Sequence, residues 1–541
     1  MKTSNTFPHT LLNRRRFMQA GALTTAGLAL PGLAQDMRLA TVGATAQTQY
    51  GRVRGLIKDG VHQFWGVPYG ASTAGANRFL PPQPPASWSG VNDHFQIALN
   101  APVAPGAEEP APVVTALNRL SPTGEDCLNV NIFTPGVDNA ARPVMVWLHG
   151  GGFSAGAGNY LLYDGTNLAK KEDVVVVSVN HRLNIFGFLH LADIGGEKWA
   201  QASNVGMQDI IATLQWIQDN IANFGGDPDR VTVFGQSGGG RKTTTLMAMP
   251  SAEGLFHRCI SQSGVAITGI SADVANEGAE RFLGKLGIRN NQLDRLQSFT
   301  TKQIQDAYYS EPVIRDLGMG PVIDGNILPR DQWNPTAPSW SANVPLLVGS
   351  TETENGWIGP PPYELSDADM LERFTARLAA GDAAKGRELA DLYKKLHPDM
   401  RNQMLWLTAE SDNTRRWDAQ LASRLKYEQG AAPAYLYFFD WYSPVHNNRM
   451  GSYHTLDIPF VFYNMDLGAS MTGSAQERYE LGHVMSAAWA AFARNGNPNH
   501  ADMPHWPAFN PNEYPTMMFG DTVRVNNDPN KEARMTLAAL K

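Results

Sequence analysis

The chain has 541 residues, of which 43% are hydrophobic and 18% charged, a composition typical of a globular protein and unlike that of a disordered one. The formal net charge of −7, with no cluster of Lys and Arg after residue 16, argues against nucleic-acid binding, because phosphate neutralisation needs clustered cations. Only two cysteines occur, Cys127 and Cys259, which excludes a disulfide scaffold and a cysteine-rich metal site. We expect two free, buried thiols, and the alternative is one bridge between them.

The first 34 residues have the pattern of an export signal. Arg14–Arg16 precede an apolar stretch, Ala20–Leu30, that is too short to span a bilayer core of about 30 Å. The paired arginines indicate the twin-arginine route, with an ordinary secretory signal as the alternative. We expect a periplasmic or secreted protein, cleaved after Ala34 or as late as Ala46. Loss of residues 1–34 removes four cations and no acids, which changes the net charge from −7 to −11.

Apolar runs and helical patterns alternate along residues 47–541. Continuous apolar runs are typical of strands buried on both faces of a parallel sheet. Such strands are predicted at Val144–Leu148, Val174–Val179, Val231–Phe234 and Val344–Val348, and helices between or after them at Gly206–Asn223 and Arg241–Met249. The alternation predicts an α/β fold with a central, mostly parallel sheet flanked by helices.

No sharp change of composition and no internal repeat divides residues 47–541, so a single domain is predicted. Two largely helical regions, 271–310 and 364–428, are interpreted as insertions into this domain. Within them helices are predicted at Ala272–Leu286 and Ala384–Leu396, and Pro- and Gly-rich surface segments are predicted at 80–111 and 355–363.

The segment Phe234–Gly240 (FGQSGGG) directly follows a predicted buried strand. Its serine, Ser237, stands between Gly235 and Gly239, and it is either a nucleophile on a tight turn or a small residue in a glycine-rich loop. A strand-to-helix turn would expose the serine at the carboxyl end of the sheet, and it needs glycine on both sides because side chains there would collide with the neighbouring strand and helix. The strand before the segment and the helical pattern after it favour the nucleophile.

A second glycine-rich loop, His149–Phe153 (HGGGF), also follows a predicted strand. Acyl transfer passes through a tetrahedral oxyanion that needs hydrogen-bond donors. The backbone N–H groups of Gly151, Gly152 and Gly238 are candidates for these donors. The alternative, a phosphate-binding loop, is disfavoured because neither G-x-G-x-x-G nor G-K-[ST] follows.

A general base and an acid that orients it are expected later in the chain, in the order serine, acid, histidine. His454 lies on a loop just before an apolar run, and His446 is its local competitor. Asp324, Glu352 and Glu354 are the candidate acids. Asp324 is interpreted as a turn residue, whereas both glutamates follow the strand predicted at residues 344–348, and the pattern alone leaves these two open.

Taken together, the motifs resemble those of the type-B carboxylesterases, a family that includes cholinesterases and para-nitrobenzyl esterases. The resemblance covers nearly all of residues 47–541, and it implies the α/β-hydrolase fold. The matching motifs are Glu125–Asn131, His149–Phe153, Asn180–Phe188, Phe224–Gly239, Leu255–Gly264 and Gly451–Phe462.

The resemblance implies a serine carboxylesterase that hydrolyses small carboxylic esters through an acyl-enzyme. It implies Ser237 as nucleophile and His454 as general base, and it selects Glu354 as the acid because the family's glutamate lies five residues after the glycine that ends the strand, here Gly349. It also implies that no metal or cofactor is needed. The oxyanion donors would be Gly151, Gly152 and Gly238, and Gln236 and Ser263 would lie next to the triad.

Two other interpretations use the same motifs. The fold could serve as a non-catalytic binding or adhesion module, although such modules typically lose a triad residue and all three are present here. The same triad could also act as a lactonase or amidase. The sequence does not select the natural ester or the oligomeric state.

Three positions and one region depart from the family pattern. Gln236 stands where glutamate is usual and Gly238 where alanine is usual, so a charge beside the serine is missing. The family's first cysteine is replaced by Ala101, which leaves Cys127 without its usual partner. The aromatic choline-binding elements are not recognisable around residues 75–105, so acetylcholine is not an expected substrate.

Overall fold

The apolar runs of the sequence lie side by side in one large twisted sheet. In the computed structural model, described here for residues 40–104, 122–310, 319–356 and 364–541, the chain from Ala40 onward forms one compact unit. The sheet order is β1-β2-β3-β5-β7-β6-β8-β9-β12-β13-β14-β15, with β4 beside β2. The strands are β1 (Thr41–Thr48), β2 (Gly51–Lys58), β3 (Val61–Pro68), β4 (Val91–Asp93), β5 (Asn129–Thr134), β6 (Arg142–Leu148), β7 (Val175–Val179), β8 (Gly226–Gln236), β9 (Arg258–Gln262), β10 (Ile270–Ser271), β11 (Val322–Ile323), β12 (Leu346–Thr351), β13 (Ala434–Phe439), β14 (Pro515–Phe519) and β15 (Arg524–Asn527).

The central part of the sheet, from β7 through β6, β8, β9, β12 and β13 to β14, is parallel. The flanking strands on both sides pair antiparallel, except for the short β4, which is parallel to β2. A small parallel pair, β10 and β11, lies outside the main sheet. Because parallel strands share one direction, the segments that follow β6, β8, β12 and β13 all leave from the same edge.

Helices cover both faces of the sheet. In the described residues they are α1 (Thr166–Glu172), α2 (Asn184–Phe188), α3 (Val205–Asn220), α4 (Gly238–Leu246), α5 (Ala272–Lys285), α6 (Thr301–Tyr309), α7 (Asp367–Arg373), α8 (Ala383–Leu396), α9 (Asn402–Asn413), α10 (Arg415–Gln429), α11 (Ile458–Val461), α12 (Ala469–Thr472), α13 (Glu477–Asn495) and α14 (Lys531–Ala538). None of the helices in these residues is both long and apolar enough to cross a membrane.

Alternate residues of one strand enter two different cores, which explains the unbroken apolar runs. On β6, Val144, Val146 and Leu148 pack in the core covered by α3, whereas Met145 and Trp147 pack in the core covered by α13. A strand buried on both faces has no position at which a polar side chain reaches water. An unbroken apolar run therefore indicates a strand that is buried on both faces of the sheet.

The structure moves several predicted boundaries by a few residues. The strand predicted at 231–234 is part of the longer β8, which begins at Gly226 and pairs with β6 from Arg142 onward. The predicted helix 241–249 begins three residues earlier, directly after the serine, as α4. The fourth predicted strand lies at Leu346–Thr351, so it reaches further toward the glutamates than its apolar run suggested.

The two regions interpreted as insertions carry their own small cores. Residues 271–310 hold α5 and α6, whose Phe282, Leu283 and Ile304 pack against Phe186 and Leu189 beside the main sheet. Residues 364–428 hold α7 to α10, and most of their buried apolar residues form a second separate cluster. Both cysteines are buried and free, as expected.

Residues 1–34 lie outside the described residues, but the later cleavage position lies within the fold. Ala46 is buried and pairs with Val53 on the neighbouring strand. Cleavage after Ala46 would remove Thr41–Ala46 and leave only two residues of β1. The segments 105–111 and 357–363 also lie outside the description, whereas residues 80–104 run mainly without regular structure, apart from β4.

Candidate active site

Ser237 lies at the turn between β8 and α4, with the geometry that the glycine pattern predicted. Its backbone has φ 59° and ψ −123°, a strained conformation for a residue with a side chain. A Cβ on Gly235 would lie 2.6 Å from the carbonyl oxygen of Leu148, and one on Gly239 would lie 1.8 Å from the same oxygen. Since neither contact is tolerable, both flanking positions require glycine, and the turn holds the serine out at the carboxyl end of the sheet.

The loop after β6 packs directly on this turn. Gly151 and Gly152 have φ of 92° and 64°, which glycine adopts without strain. A Cβ on Gly150 would lie 3.3 Å from the Cβ of Ser237, and a Cβ on Gly238 would lie 2.1 Å from the carbonyl oxygen of Gly152. The structure therefore brings the three predicted donor positions, at residues 151, 152 and 238, to one place beside the serine.

His454 and Glu354 are in direct contact, although 100 residues separate them in the chain. Glu354 follows β12 and His454 lies on the loop after β13, so neighbouring parallel strands deliver both. The Nδ1 of His454 is hydrogen-bonded to Oε2 of Glu354, and the backbone N–H of His454 donates to the carbonyl oxygen of Glu354 at 3.2 Å. Both side chains are buried, which keeps competing water away from the pair.

Neighbouring groups fix Glu354 and hold its carboxyl group as an anion. The N–H of Thr351 donates to its Oε1 at 2.9 Å, whereas the Ser411 hydroxyl holds the backbone by accepting the N–H of Glu354 at 2.8 Å. Burial opposes ionisation, but His454 and the more distant Arg415 outweigh it, so the pKa of Glu354 lies below its ordinary value. An ionised carboxylate is the form that can orient an imidazole.

Ser263 lies next to this carboxylate at the end of β9. Its N–H donates to the carbonyl oxygen of Gly349 at 2.8 Å, and its φ of 52° turns the chain sharply. The hydroxyl helps to lower the pKa of Glu354, although its oxygen makes no hydrogen bond of ordinary geometry in the described residues. The structure therefore places the Ser263 side chain beside Glu354.

Gln236 contacts His454 in an unusual way. Its amide nitrogen lies 3.2 Å from both ring nitrogens. A nitrogen in the plane of the ring at 3.2 Å from both ring nitrogens would overlap a ring carbon. The amide of Gln236 therefore rests on the face of the imidazole. The side chain is almost fully buried. A neutral amide therefore covers the imidazole where the family pattern has a carboxylate.

Comparison with known proteins shows the family of the chain. A family model described as the carboxylesterase family matches residues 43–536. The chain belongs to the carboxylesterase family. It is similar to the para-nitrobenzyl esterase of Bacillus subtilis (strain 168), with 34% identity over 91% of this chain and 98% of that protein. It is also similar to the cocaine esterase of Homo sapiens, with 32% identity over 84% and 83% of the two chains.

Solved structures of esterases superpose on this carboxylesterase over most of their length. A thermophilic PNB esterase matches with a TM-score of 0.77 at 34% identity, covering 91% of this chain and 99% of the other. An esterase from anaerobic Clostridium hathewayi, described as able to hydrolyze aliphatic aromatic polyesters, matches with a TM-score of 0.80 at 30% identity, covering 93% and 100%. The α/β-hydrolase fold is thus confirmed, and the protein is a carboxylic ester hydrolase.

The other candidates for the base and the acid are not part of the His454–Glu354 pair. His446 is exposed on the loop that leads toward His454. Asp324 accepts the N–H groups of Asn326 and Leu328 and so holds its own turn. Glu352 is buried beside Tyr442, and burial raises its pKa to about 7. Of the three candidate acids, only Glu354 is hydrogen-bonded to His454.

A polar network beneath the site was not predicted from the sequence. Asp457 accepts hydrogen bonds from Gln262 at 2.8 Å and from the Tyr437 hydroxyl at 3.0 Å, while Trp489 donates to Gln262 at 3.2 Å. Burial raises the pKa of Asp457 to about 6. The N–H of Ser237 donates to the backbone carbonyl of Gln262 at 2.8 Å, so the network supports the turn itself. The one sequence signal for this network is that Gln262 and Asp457 lie within two of the motifs that match the family.

Proposed function

We propose that the carboxylesterase hydrolyses small carboxylic esters with a Ser237–His454–Glu354 triad and an acyl-enzyme intermediate. The observation that carries the proposal is the buried His454–Glu354 pair, in which His454 contacts Gln236, the residue that directly precedes the strained serine. A serine hydroxyl is a weak nucleophile until a base takes its proton, and this pair supplies an oriented base.

In the proposed reaction, the Ser237 oxygen attacks the ester carbonyl and its proton passes to Nε2 of His454. The resulting imidazolium is stabilised through its Nδ1–H by the ionised Glu354. Collapse of the tetrahedral intermediate breaks the C–O bond, and His454 returns the proton to the departing alcohol. A water molecule, deprotonated by the same histidine, then attacks the acyl-enzyme and releases the carboxylic acid and the free serine.

The tetrahedral oxyanion would accept hydrogen bonds from backbone N–H groups of the glycine loop and of α4. In this proposal the donors are Gly151, Gly152 and Gly238. Their close packing supports the assignment, because preorganised donors need no rearrangement during the reaction, and each is worth about 2.7–4 kcal/mol in comparable sites.

Fluorophosphonate labelling tests this mechanism. The probe should label the wild-type protein with one equivalent and should not label Ser237→Ala. Glu354→Gln should lower kcat by about a hundredfold or more, because it removes the charge that stabilises the imidazolium. The matched variant Glu352→Gln changes a buried glutamate two residues away and should keep wild-type turnover. Equal labelling of Ser237→Ala, or equal loss in both glutamine variants, would contradict the triad.

We also propose that residues 1–34 export the carboxylesterase and are removed before β1. The support is the twin-arginine pattern together with the pairing of Ala46 inside the sheet, which disfavours the later cleavage position. Sequencing the N-terminus of protein recovered from the periplasm or medium tests this. Replacement of Arg14–Arg16 by lysine should leave precursor inside the cell, whereas unchanged export would refute the twin-arginine route.

A further inference from the structure

A cavity of about 450 Å³ is lined in part by segments that directly adjoin the proposed site. Three of its walls come from segments that already form the site: Phe153 directly follows the oxyanion glycines, Arg241 lies one helical turn after Ser237 on α4, and Val265 closely follows Ser263. The volume is within the usual range for pockets that bind small molecules. A substrate with its ester at the serine can therefore extend into this space.

Arg241 is the unusual member of the lining. Its backbone is fixed, because its N–H donates to the carbonyl oxygen of Ser237 at 3.0 Å. Its side chain is partly buried in the wall of the cavity, and within the described parts of the chain it forms no hydrogen bond or ion pair within 4 Å. A partly buried cation without a partner is unfavourable, so its place in this wall suggests a ligand of opposite charge.

The buried arginines among the described residues show the contrast. Arg78 pairs with Glu125, Arg182 with Asp209, Arg416 with Asp412 and Arg478 with Asp466, each at 2.8 Å or less. Each of these four buried arginines therefore has a carboxylate partner. Arg241, the one that faces the cavity, lacks such a pair among the described residues.

Among the described residues, the charged groups around the guanidinium compensate its positive charge only in part. Arg415 lies near enough to repel it, and Asp418, which also lines the cavity, attracts it without forming an ion pair. Lys541 and Arg415 in turn both act on Asp418, so one carboxylate is shared among three cations. Burial and Arg415 lower the pKa of Arg241 to about 10, which still leaves it protonated at neutral pH.

We propose that this cavity binds a carboxylate carried by the ester substrate, with Arg241 as its counter-ion. The inference rests on the proposed function and adds a substrate class to it, the half-esters of dicarboxylic acids and related anionic esters. A guanidinium fork matches a carboxylate with two parallel hydrogen bonds. Because Ser237 and Arg241 are about 6 Å apart along the helix axis, the carboxylate is expected several bonds away from the ester.

Matched pairs of esters test the proposal. Monoethyl adipate and ethyl hexanoate differ only by a carboxylate in place of a methyl group on the acyl side, and 5-acetoxypentanoate and pentyl acetate differ in the same way on the alcohol side. The measured quantity is the ratio of kcat/KM for the anionic ester to that for the neutral ester, by pH-stat at low salt. The wild type should prefer the anion by about tenfold or more in at least one pair, the usual size of a hydrogen-bonded charge effect.

Substitutions then show which residue causes the preference for the anionic ester. Arg241→Gln should bring the ratio to one or below, Arg241→Lys should keep part of the preference, and Asp418→Asn should raise it by removing the competing carboxylate. Arg281→Gln, at an exposed arginine that pairs with Glu277 on α5, is the matched control and should leave the ratio at its wild-type value. Two independent substitutions of Arg241 keep the test valid if one of them fails to fold.

Two failures are distinguishable in the same assays. A wild-type ratio of one or below in both pairs, or a preference that survives in Arg241→Gln, overturns the carboxylate site while the esterase proposal stands. Hydrolysis of the neutral esters by Ser237→Ala at the wild-type rate overturns the proposed function and the inference with it.

Discussion

Alanine at position 238 is the family's usual residue, but this structure has no room for it. A Cβ there would lie 2.1 Å from the carbonyl oxygen of Gly152 and 2.5 Å from its nitrogen. Contacts of Cβ atoms below 3.0 Å do not persist, so Gly238→Ala has to push the glycine loop back by about 0.9 Å. This is enough to misalign backbone donors, and displacements of about 1 Å can cost a hundredfold in rate.

We therefore expect Gly238→Ala to lower kcat by about a hundredfold, with little change in KM, because the lost hydrogen bonds act on the transition state. Steady-state kinetics on a short p-nitrophenyl ester measures both, and the affinity for a trifluoromethyl ketone inhibitor should fall in parallel with kcat. Gly284→Ala on α5 is the control, since a Cβ there meets no atom within 4 Å. A Gly238→Ala variant within about tenfold of wild-type kcat would refute the steric reasoning.

Three further predictions concern buried groups. Gln236→Glu should move the acidic limb of the kcat/KM profile about one pH unit or more upward, since a carboxylate on the imidazole of His454 favours its protonated form; an unchanged profile and substrate range would show that this departure has little functional meaning. Burial lowers the pKa of Lys242 from its ordinary 10.5 to about 7, so between pH 7 and 10 this lysine is neutral in the folded state but still protonated in the unfolded state. The free energy of unfolding of the wild type, measured in urea, should therefore rise relative to that of Lys242→Met from pH 7 to 10. A constant difference would contradict this. Burial also raises the pKa of Cys259 to about 12 and that of Cys127 above its usual range, so neither thiol should react with a disulfide reagent at pH 8 until the protein unfolds; rapid reaction of the native protein would contradict their burial.

The parts of the site that lie next to strands were predictable from the sequence. Ser237 and the glycine loop each directly follow a doubly buried strand, and such strands are visible as continuous apolar runs. Parallel strands end at one edge of the sheet, so the segments that follow these strands are expected to lie near one another. For these residues the local sequence pattern was therefore enough to predict their place in the fold.

The sequence pattern alone could not decide whether Glu352 or Glu354 is the acid. Both follow the same strand two residues apart, and the resemblance to a family was needed to select one. In the structure Ser411, 57 residues further along the chain, accepts the N–H of Glu354, whereas Glu352 is directed to Tyr442. These partners come from α9 and from the segment after β13, and no pattern near the glutamates encodes how those segments pack.

Gln236 and Gly238, the two departures beside Ser237, would act on different halves of the proposed chemistry. The amide of Gln236 rests on the face of His454, and the missing side chain at Gly238 lets the glycine loop approach the turn. A neutral group against His454 removes an attraction that would hold the imidazolium, and a closer loop strengthens the donors that receive the oxyanion. In the proposed mechanism, the first change favours the step in which His454 passes its proton to the departing alcohol, and the second stabilises the tetrahedral intermediate, whose negative charge is held by backbone N–H groups. The site therefore depends more on the glycine loop, and less on a second carboxylate, than the family pattern alone implies.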